Sequence, residues 1–328
     1  MTGLGIVRQI ADLFQSNKAE RFAELYDVDK PVDFSRMLYF RNDKFPKSDS
    51  VPWLDRPDAM VEIDSKVVTG DMSVEDADTY RRWIEDGYYI ARNLFSEAEI
   101  DNAWGAYENA VLTGVIKLDQ EPAGEGDNLP GRNLNPHKKV AELKALQCHG
   151  KLLDITDRLL GRKTVPFQTI MGHKGSNQAA HSDAIHMTTY PLGYLIAAWI
   201  AMEDIHPDSG PLEFYPGSHR KLPYLLSNEA GIKLRGFKAN YHKQYEPMIQ
   251  RQIEEKKLHS KTFVAKKGDV LFWHSNLLHG GKIRSDLSKS RKALVCHYFA
   301  EKVFTYHDLS GKASRLHRNG ALAPIQLD

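Results

Sequence analysis

The stretch Lys266-Lys-Gly-Asp-Val-Leu-Phe-Trp-His-Ser-Asn-Leu-Leu-His279 combines a turn, an apolar strand and a histidine at the end of that strand. The Lys-Gly-Asp sequence at 267–269 favours a tight turn. The aliphatic and aromatic residues that follow are typical of a buried β-strand. The stretch therefore predicts a strand that carries His279 at the mouth of a β-barrel.

Short segments of this kind recur between about 164 and 304 and are separated by turn residues such as those at 207–210. A set of short strands joined by Gly and Pro turns favours a sandwich or barrel. A mainly helical part, about 71–162, precedes them, so the predicted fold class is α+β. The predicted strands are 164–172, 179–188, 194–204, 211–215, 261–266, 269–274 and 292–303.

The composition excludes several classes of protein. The 328 residues include 44 Lys and Arg against 43 Asp and Glu, so the net charge of +1 gives no electrostatic basis for binding nucleic acid or an anionic membrane. Two cysteines cannot form a disulfide framework. The longest apolar run, 192–202, has about half of the roughly 20 residues that a membrane helix needs. With no signal peptide recognised at the N-terminus, the sequence predicts a cytoplasmic protein.

The chain is expected to comprise an N-terminal extension, residues 1–70, and one domain, residues 71–328. The extension is expected to dock on the domain, although its sequence indicates no role. An insertion at about 221–260 interrupts the predicted strands and contains a helix-like charged run. Because both of its ends lie near the predicted barrel mouth, it is interpreted as a cover over the site. The oligomeric state is left open.

The sequence His181-Ser-Asp183 is a candidate metal site. Residues two apart on a strand point to the same side, so the imidazole and the carboxylate can bind one ion. Together with His279 they would form a facial triad of two histidines and one carboxylate, which leaves three adjacent positions open on Fe(II). His186 is expected to point to the opposite face, because its offset from His181 is odd.

Arg291 begins the last predicted strand, twelve residues after His279. Its guanidinium offers a bidentate fork to a carboxylate, which is the group by which a 2-oxo diacid would be anchored. Two alternatives remain open: Arg291 pairs with Asp286 at the surface, or Arg284 takes this role instead. Both Trp199 and Trp273 are expected to pack inside the barrel.

The motifs together resemble the phytanoyl-CoA dioxygenase-like family of Fe(II)- and 2-oxoglutarate-dependent oxygenases, over about residues 74–303. The resemblance implies a double-stranded β-helix, a jelly-roll or cupin-like barrel, flanked by N-terminal helices. The matching segments are Tyr80–Ile90, His181–Asp183, Ala198–Ile205, Ser209–Leu212, Tyr215–His219 and Gly268–Gly280.

The resemblance also implies roles for individual residues. The matching histidines and aspartate would bind iron, and Arg291 would bind the distal carboxylate of 2-oxoglutarate. Three further residues are candidates for contact with this cosubstrate: Gln168, Gln178 and Thr189. The sequence departs from the family at Gly281, where relatives often carry serine, and little change is expected from this.

The implied activity is a non-haem dioxygenase that uses Fe(II), 2-oxoglutarate and O₂ to oxidise an unactivated C–H bond of a small-molecule metabolite, with release of succinate and CO₂. Because Asp183 is present, hydroxylation, or a related desaturation or ring closure, is favoured over halogenation. Two other classes remain open: a non-catalytic jelly-roll module that binds a ligand, and a Zn²⁺-dependent cupin-like hydrolase or isomerase. The substrate is not indicated.

Overall fold

A computed structural model describes most of the chain, including all of the predicted metal ligands. Among the helices that it describes, none combines the length and apolarity that a bilayer-spanning segment requires. Residues 1–50 of the N-terminal extension lie outside the described residues, as do residues 119–130. The described residues are 51–118, 131–222, 224, 241–307, 312–316 and 324–326.

The first part of the described chain is mainly helical, as predicted for 71–162. Ser96 and Glu99 form the capping box that the sequence indicates at the start of α3, in which each side chain bonds the backbone N–H of the other residue. The helices before the barrel are α1 (Ala59–Thr69), α2 (Val74–Asp86), α3 (Glu97–Leu112), α4 (Ala141–Gln147) and α5 (Gly150–Leu160).

Thirteen strands occur among the described residues, and most lie where the sequence predicts them. The strand at 164–172 has its predicted bounds, whereas those at 132–134, 279–281, 304–307, 312–316 and 324–326 were not predicted. The strands are β1 (Tyr88–Ala91), β2 (Arg132–Leu134), β3 (Thr164–Gly172), β4 (Met187–Tyr190), β5 (Leu195–Ala201), β6 (Leu212–Phe214), β7 (Lys261–Phe263), β8 (Val270–His274), β9 (His279–Gly281), β10 (Ala293–Ala300), β11 (Phe304–His307), β12 (Lys312–Leu316) and β13 (Pro324–Gln326).

The strands form three antiparallel sheets. A six-stranded sheet has the order β1-β8-β5-β10-β3-β2, a three-stranded sheet the order β7-β6-β9, and a four-stranded sheet the order β13-β12-β11-β4. Two further helices, α6 (Ser218–Lys221) and α7 (Tyr241–Glu255), lie in the connection between β6 and β7. An isolated bridge between His181 and His279 extends the three-stranded sheet toward the 181–186 turn.

The six-stranded sheet is covered on both faces, which explains why β5 is buried along its whole length. Residues 196, 198 and 200 of β5 pack in the cluster that contains helix residues such as Trp83 and Tyr107. Residues 197, 199 and 201 pack in a second cluster with Phe214 and Phe263 of the three-stranded sheet. Two facing sheets with helices outside them form the predicted α+β double-stranded β-helix, and the predicted fold class is confirmed.

The described part of the N-terminal extension packs on the domain. Leu54, Ala59 and Ile63 are buried in the cluster beneath the helices. The Trp53 indole N–H donates to the carbonyl of Arg158 on α5 (3.0 Å). Residues 59–69 form α1, a helix that the sequence did not predict, and its C-cap is Gly70 in the left-handed conformation (φ 78°).

Candidate metal centre

The donor atoms of His181, Asp183 and His279 converge beside the three-stranded sheet. All three side chains are buried, and one donor atom from each lies within 4.8 Å of the others. In the described part of the chain this is the only group of three or more His, Cys, Asp or Glu residues arranged to hold a metal ion. The backbones of His181 and His279 bond each other in both directions at 2.9 Å, so two residues distant in sequence are held side by side.

Backbone hydrogen bonds set the tautomer of both imidazoles. Nδ1 of His181 lies 3.0 Å from the carbonyl of Ala179, and Nδ1 of His279 lies 3.0 Å from that of Leu277. Because a carbonyl oxygen only accepts, each Nδ1 carries the proton and each Nε2 presents a lone pair. Nε2 of both histidines is therefore ready to bind a metal ion.

The protonation states suit a cation. Burial lowers the pKa of His181 to about 3, and burial also lowers the pKa of His279, so both rings are neutral at pH 7. Burial alone would raise the pKa of the Asp183 carboxyl, but the imidazoles of His279 and His297 outweigh this effect and hold that pKa below its ordinary value. Two neutral imidazoles thus face one carboxylate.

Two residues that the sequence did not assign to the site contact Asp183. The indole N–H of Trp273 donates to Oδ2 of Asp183 at 2.7 Å, and Nε2 of His297 lies 3.5 Å from the same oxygen. Trp273 packs inside the barrel as expected, but it also makes this polar contact. The sequence contained a signal for His297: it lies at an even offset from Arg291, and in the strand predicted to follow Arg291 an even offset places two residues on the same side.

The expected position of His186 is wrong. Its ring centroid lies only 6.3 Å from that of His181, too close for two side chains on opposite faces of one strand and five residues apart. The prediction assumed a continuous strand over 179–188, but Asp183–Ile185 form a 3-10 turn and β4 begins only at Met187. The turn rotates the chain, so the alternation of a strand does not apply. His186 does not belong to the group of three donors.

The loop at 176–179 passes close to Gly280 and Gly281, where side chains would collide with it. A Cβ at Gly280 would lie 2.6 Å from the carbonyl oxygen of Gln178, and a Cβ at Gly281 would meet the hydroxyl of Ser176. Glycine at 281 thus leaves room for the Ser176 hydroxyl. The close approach places the side-chain nitrogen of Gln178 3.2 Å from Nε2 of His181, where an amide N–H can donate to the lone pair.

Arg291 is buried and donates through Nη1 to the carbonyl of Gly210 at 2.9 Å. Burial lowers its pKa to about 10, and the nearby charge of Arg284 acts in the same direction, so Arg291 remains a cation at pH 7. Among the described residues no carboxylate pairs with it, and the surface pair with Asp286 does not form. Its Nε has no hydrogen-bond partner there. A buried guanidinium of this kind is suited to an anionic ligand.

The other candidates differ in their surroundings. Arg284 donates through Nη2 to the carbonyls of Leu287 (2.6 Å) and Lys289 (3.4 Å), so it stabilises its own loop. Gln168 is buried and pairs across the sheet with His297. The hydroxyl of Thr189 donates to the carbonyl of Pro191 (2.6 Å) and accepts the N–H of Tyr194 (3.2 Å). These bonds within the turn argue against the predicted contact of Thr189 with 2-oxoglutarate.

Helix α7 contributes a hydrogen bond to the metal-binding turn. The hydroxyl of Tyr245 accepts the backbone N–H of Ser182, the residue between the two donors of the turn, at 3.0 Å. Tyr245 is fully buried and packs with Ile185 and Ile249. This part of the 221–260 insertion therefore supports the metal-binding turn. The role of the insertion as a cover stays a prediction, since residues 225–240 lie outside the described part.

Comparison with known proteins agrees with this arrangement. The model of the phytanoyl-CoA dioxygenase family matches residues 83–293, which is more than half of the chain. The chain belongs to this family, whose members are Fe(II)- and 2-oxoglutarate-dependent oxygenases. Peroxisomal phytanoyl-CoA dioxygenase of Rattus norvegicus is 31% identical over 65% of this chain and 65% of its own length.

Solved structures share the fold. The carbocyclase SnoK from nogalamycin biosynthesis, described as non-haem and α-ketoglutarate-dependent, superposes with a TM-score of 0.54 at 20% identity, over 72% of this chain and 87% of SnoK. EctD from S. alaskensis, solved with 2-oxoglutarate and 5-hydroxyectoine, superposes with a TM-score of 0.53 at 19% identity, over 74% of this chain and 78% of EctD. The family and the donor set together support the predicted cofactors: Fe(II), 2-oxoglutarate and O₂.

Proposed function

We propose that the chain is a dioxygenase that couples decarboxylation of 2-oxoglutarate to hydroxylation of an unactivated C–H bond in a small-molecule metabolite. The observation that carries this proposal is the buried group of two neutral imidazoles and one carboxylate, in which Nε2 of both histidines carries a lone pair. In this proposal His181, Asp183 and His279 hold the metal. Three donors leave three positions for a bidentate 2-oxo acid and O₂.

Arg291 would bind the C5 carboxylate of 2-oxoglutarate. Its guanidinium is buried, charged and without an acidic partner among the described residues, so a dicarboxylate would complete the charge balance. Gln178 beside His181 and Gln168 beside His297 would border the cosubstrate with polar groups. The apolar interior of the barrel would exclude water from the reacting atoms.

The overall reaction converts R–H, O₂ and 2-oxoglutarate to R–OH, succinate and CO₂. Bound Fe(II) supplies the chemistry by which O₂ is reduced and 2-oxoglutarate is decarboxylated; the protein contributes binding, orientation and exclusion of water. Family membership alone does not select hydroxylation, because SnoK is a carbocyclase. Hydroxylation is proposed because Asp183 supplies the third donor and EctD, which shares the fold, was solved with a hydroxylated compound.

The test is a screen of metabolite pools with the full chain, Fe(II), ascorbate and labelled 2-oxoglutarate. We expect to find a compound that accelerates succinate formation and gains one oxygen atom. One O₂ should be consumed for each succinate that forms. If no pool accelerates succinate formation and 2-oxoglutarate does not bind, the proposal is wrong. If Zn²⁺ alone supports turnover of a metabolite without O₂, the hydrolase or isomerase alternative replaces it.

A further inference from the structure

The two oxygens of the Asp183 carboxylate have different surroundings. Oδ2 accepts the indole N–H of Trp273 at 2.7 Å and lies 3.5 Å from Nε2 of His297. Oδ1 faces the other side and lies 3.6 Å from Nε2 of His279. We propose that Trp273, assisted by His297, is a positioning residue that holds Oδ2 so that Asp183 presents only Oδ1 to the metal ion. This inference rests on the proposed metal site.

The sheet register explains how both side chains contact one oxygen. Trp273 of β8, Ala197 of β5 and His297 of β10 are direct neighbours across three adjacent strands. All three lie on the face toward the barrel interior, and Ala197 has the smallest side chain of the row. Trp273 and His297 are therefore about 10 Å apart at the backbone, and both side chains reach the same carboxylate oxygen of Asp183.

Tryptophan is well suited to this position. The indole N–H can only donate, and indole has no alternative tautomer. It therefore pairs well with an ionised carboxylate oxygen, which can only accept. Its ring also packs on the imidazole of His279, with centroids 4.5 Å apart and planes tilted by 42°. Trp273 thus contacts two of the three proposed ligands, and it constrains the direction of one and the ring plane of the other.

The denticity of Asp183 decides how many positions remain open on the metal. A six-coordinate ion with two imidazoles and one carboxylate oxygen has three positions left, enough for a bidentate 2-oxo acid and O₂. A carboxylate that bound through both oxygens would leave only two, and the 2-oxo acid would fill them. With Oδ2 held by the hydrogen bond from Trp273, Asp183 would offer one oxygen to the metal ion, and the position that O₂ needs would stay open.

The test compares Trp273→Phe with the matched control Trp199→Phe, which alters a buried tryptophan of the same interior cluster. The apo-protein is titrated with Co(II), and the dissociation constant and the visible ligand-field spectrum are recorded. We expect Trp273→Phe to weaken Co(II) binding by roughly 10- to 100-fold, since it removes a hydrogen bond to a charged group. We also expect its spectrum to change as Oδ2 joins the coordination sphere. Trp199→Phe should keep the wild-type constant and spectrum.

A Trp273→Phe protein that folds and keeps both wild-type properties overturns the inference. If that variant does not fold, His297→Phe and His297→Asn take its place, because asparagine retains an N–H donor. His297→Phe should then weaken Co(II) binding and alter the spectrum, with His297→Asn closer to wild type. Identical behaviour of both variants and wild type overturns the inference. Failure of the wild-type protein itself to bind Co(II) would instead contradict the proposed metal site.

Discussion

At the scale of single residues, Arg291 carries the positive charge that is proposed to bind 2-oxoglutarate. Replacement by alanine should raise the apparent KM for 2-oxoglutarate by roughly 30-fold or more, because losing one partner of a buried charged pair costs about 2–5 kcal/mol. The measurement is the rate of succinate formation as a function of 2-oxoglutarate concentration. Arg291→Lys should have a KM for 2-oxoglutarate close to that of Arg291→Ala, since lysine lacks the planar fork of the guanidinium.

Arg284→Ala is the control for this prediction. Its guanidinium bonds carbonyls of its own loop, so the variant should lose thermal stability while its KM for 2-oxoglutarate stays near the wild-type value. If Arg284→Ala raises KM and Arg291→Ala does not, the carboxylate-binding role belongs to Arg284.

At the scale of elements, helix α7 supports the metal-binding turn through Tyr245. Tyr245→Phe leaves the buried N–H of Ser182 without its acceptor, which should cost about 1–3 kcal/mol of stability. We also expect weaker Fe(II) binding, since Ser182 lies between two proposed ligands. Thermal unfolding and anaerobic metal titration measure the two effects. Tyr88→Phe, which removes an exposed hydroxyl bonded to Lys261, is the control and should change neither.

The strands that carry the site could be predicted from sequence because their pattern is local. A turn and an aromatic strand precede His279, and a glycine pair follows it. These local features are enough to predict that the histidine lies at the barrel mouth. The turn at 183–185 could not be predicted in this way, because it depends on pairing with distant residues: the N–H of Ala184 bonds the carbonyl of Ser275. The error at His186 follows directly from this.

The contacts of Asp183 could not be predicted from the sequence for a similar reason. Trp273 and His297 lie on different strands, and their positions on either side of Ala197 depend on the register of the six-stranded sheet. A single sequence indicates that each residue faces the interior, but not which strands are neighbours. The spacing of the residues, together with the resemblance to a known family, indicated the triad and Arg291, whereas the interior contacts could be seen only in the fold.

At the scale of the whole molecule, residues 51–69 are packed as part of the barrel's helical layer. Leu54 is 1% exposed, and the carboxylate of Asp55 lies 3.2 Å from Nε2 of His274, the residue after Trp273. Leu54→Ala should therefore lower the free energy of unfolding by about 2–5 kcal/mol. Val68→Ala, at an 87% exposed position of α1, should change it by less than about 0.5 kcal/mol.

The free energy of unfolding of both variants is measured by denaturant titration, with circular dichroism as the probe of folding. A single transition that shifts with Leu54→Ala would mean that this segment belongs to one cooperative unit with the barrel. An unchanged midpoint would support the predicted division at residue 70 as a true domain boundary.

The central claim is that His181, Asp183 and His279 hold one Fe(II) per chain. The most direct measurement is the iron content of the wild-type protein, His279→Ala and the neighbouring-histidine control His186→Ala after anaerobic equilibration with Fe(II), with circular dichroism as the check on folding. The account predicts one iron in the wild-type and His186→Ala proteins, and loss of iron with an intact fold in His279→Ala. One tightly bound iron and full 2-oxoglutarate turnover in His279→Ala would contradict it.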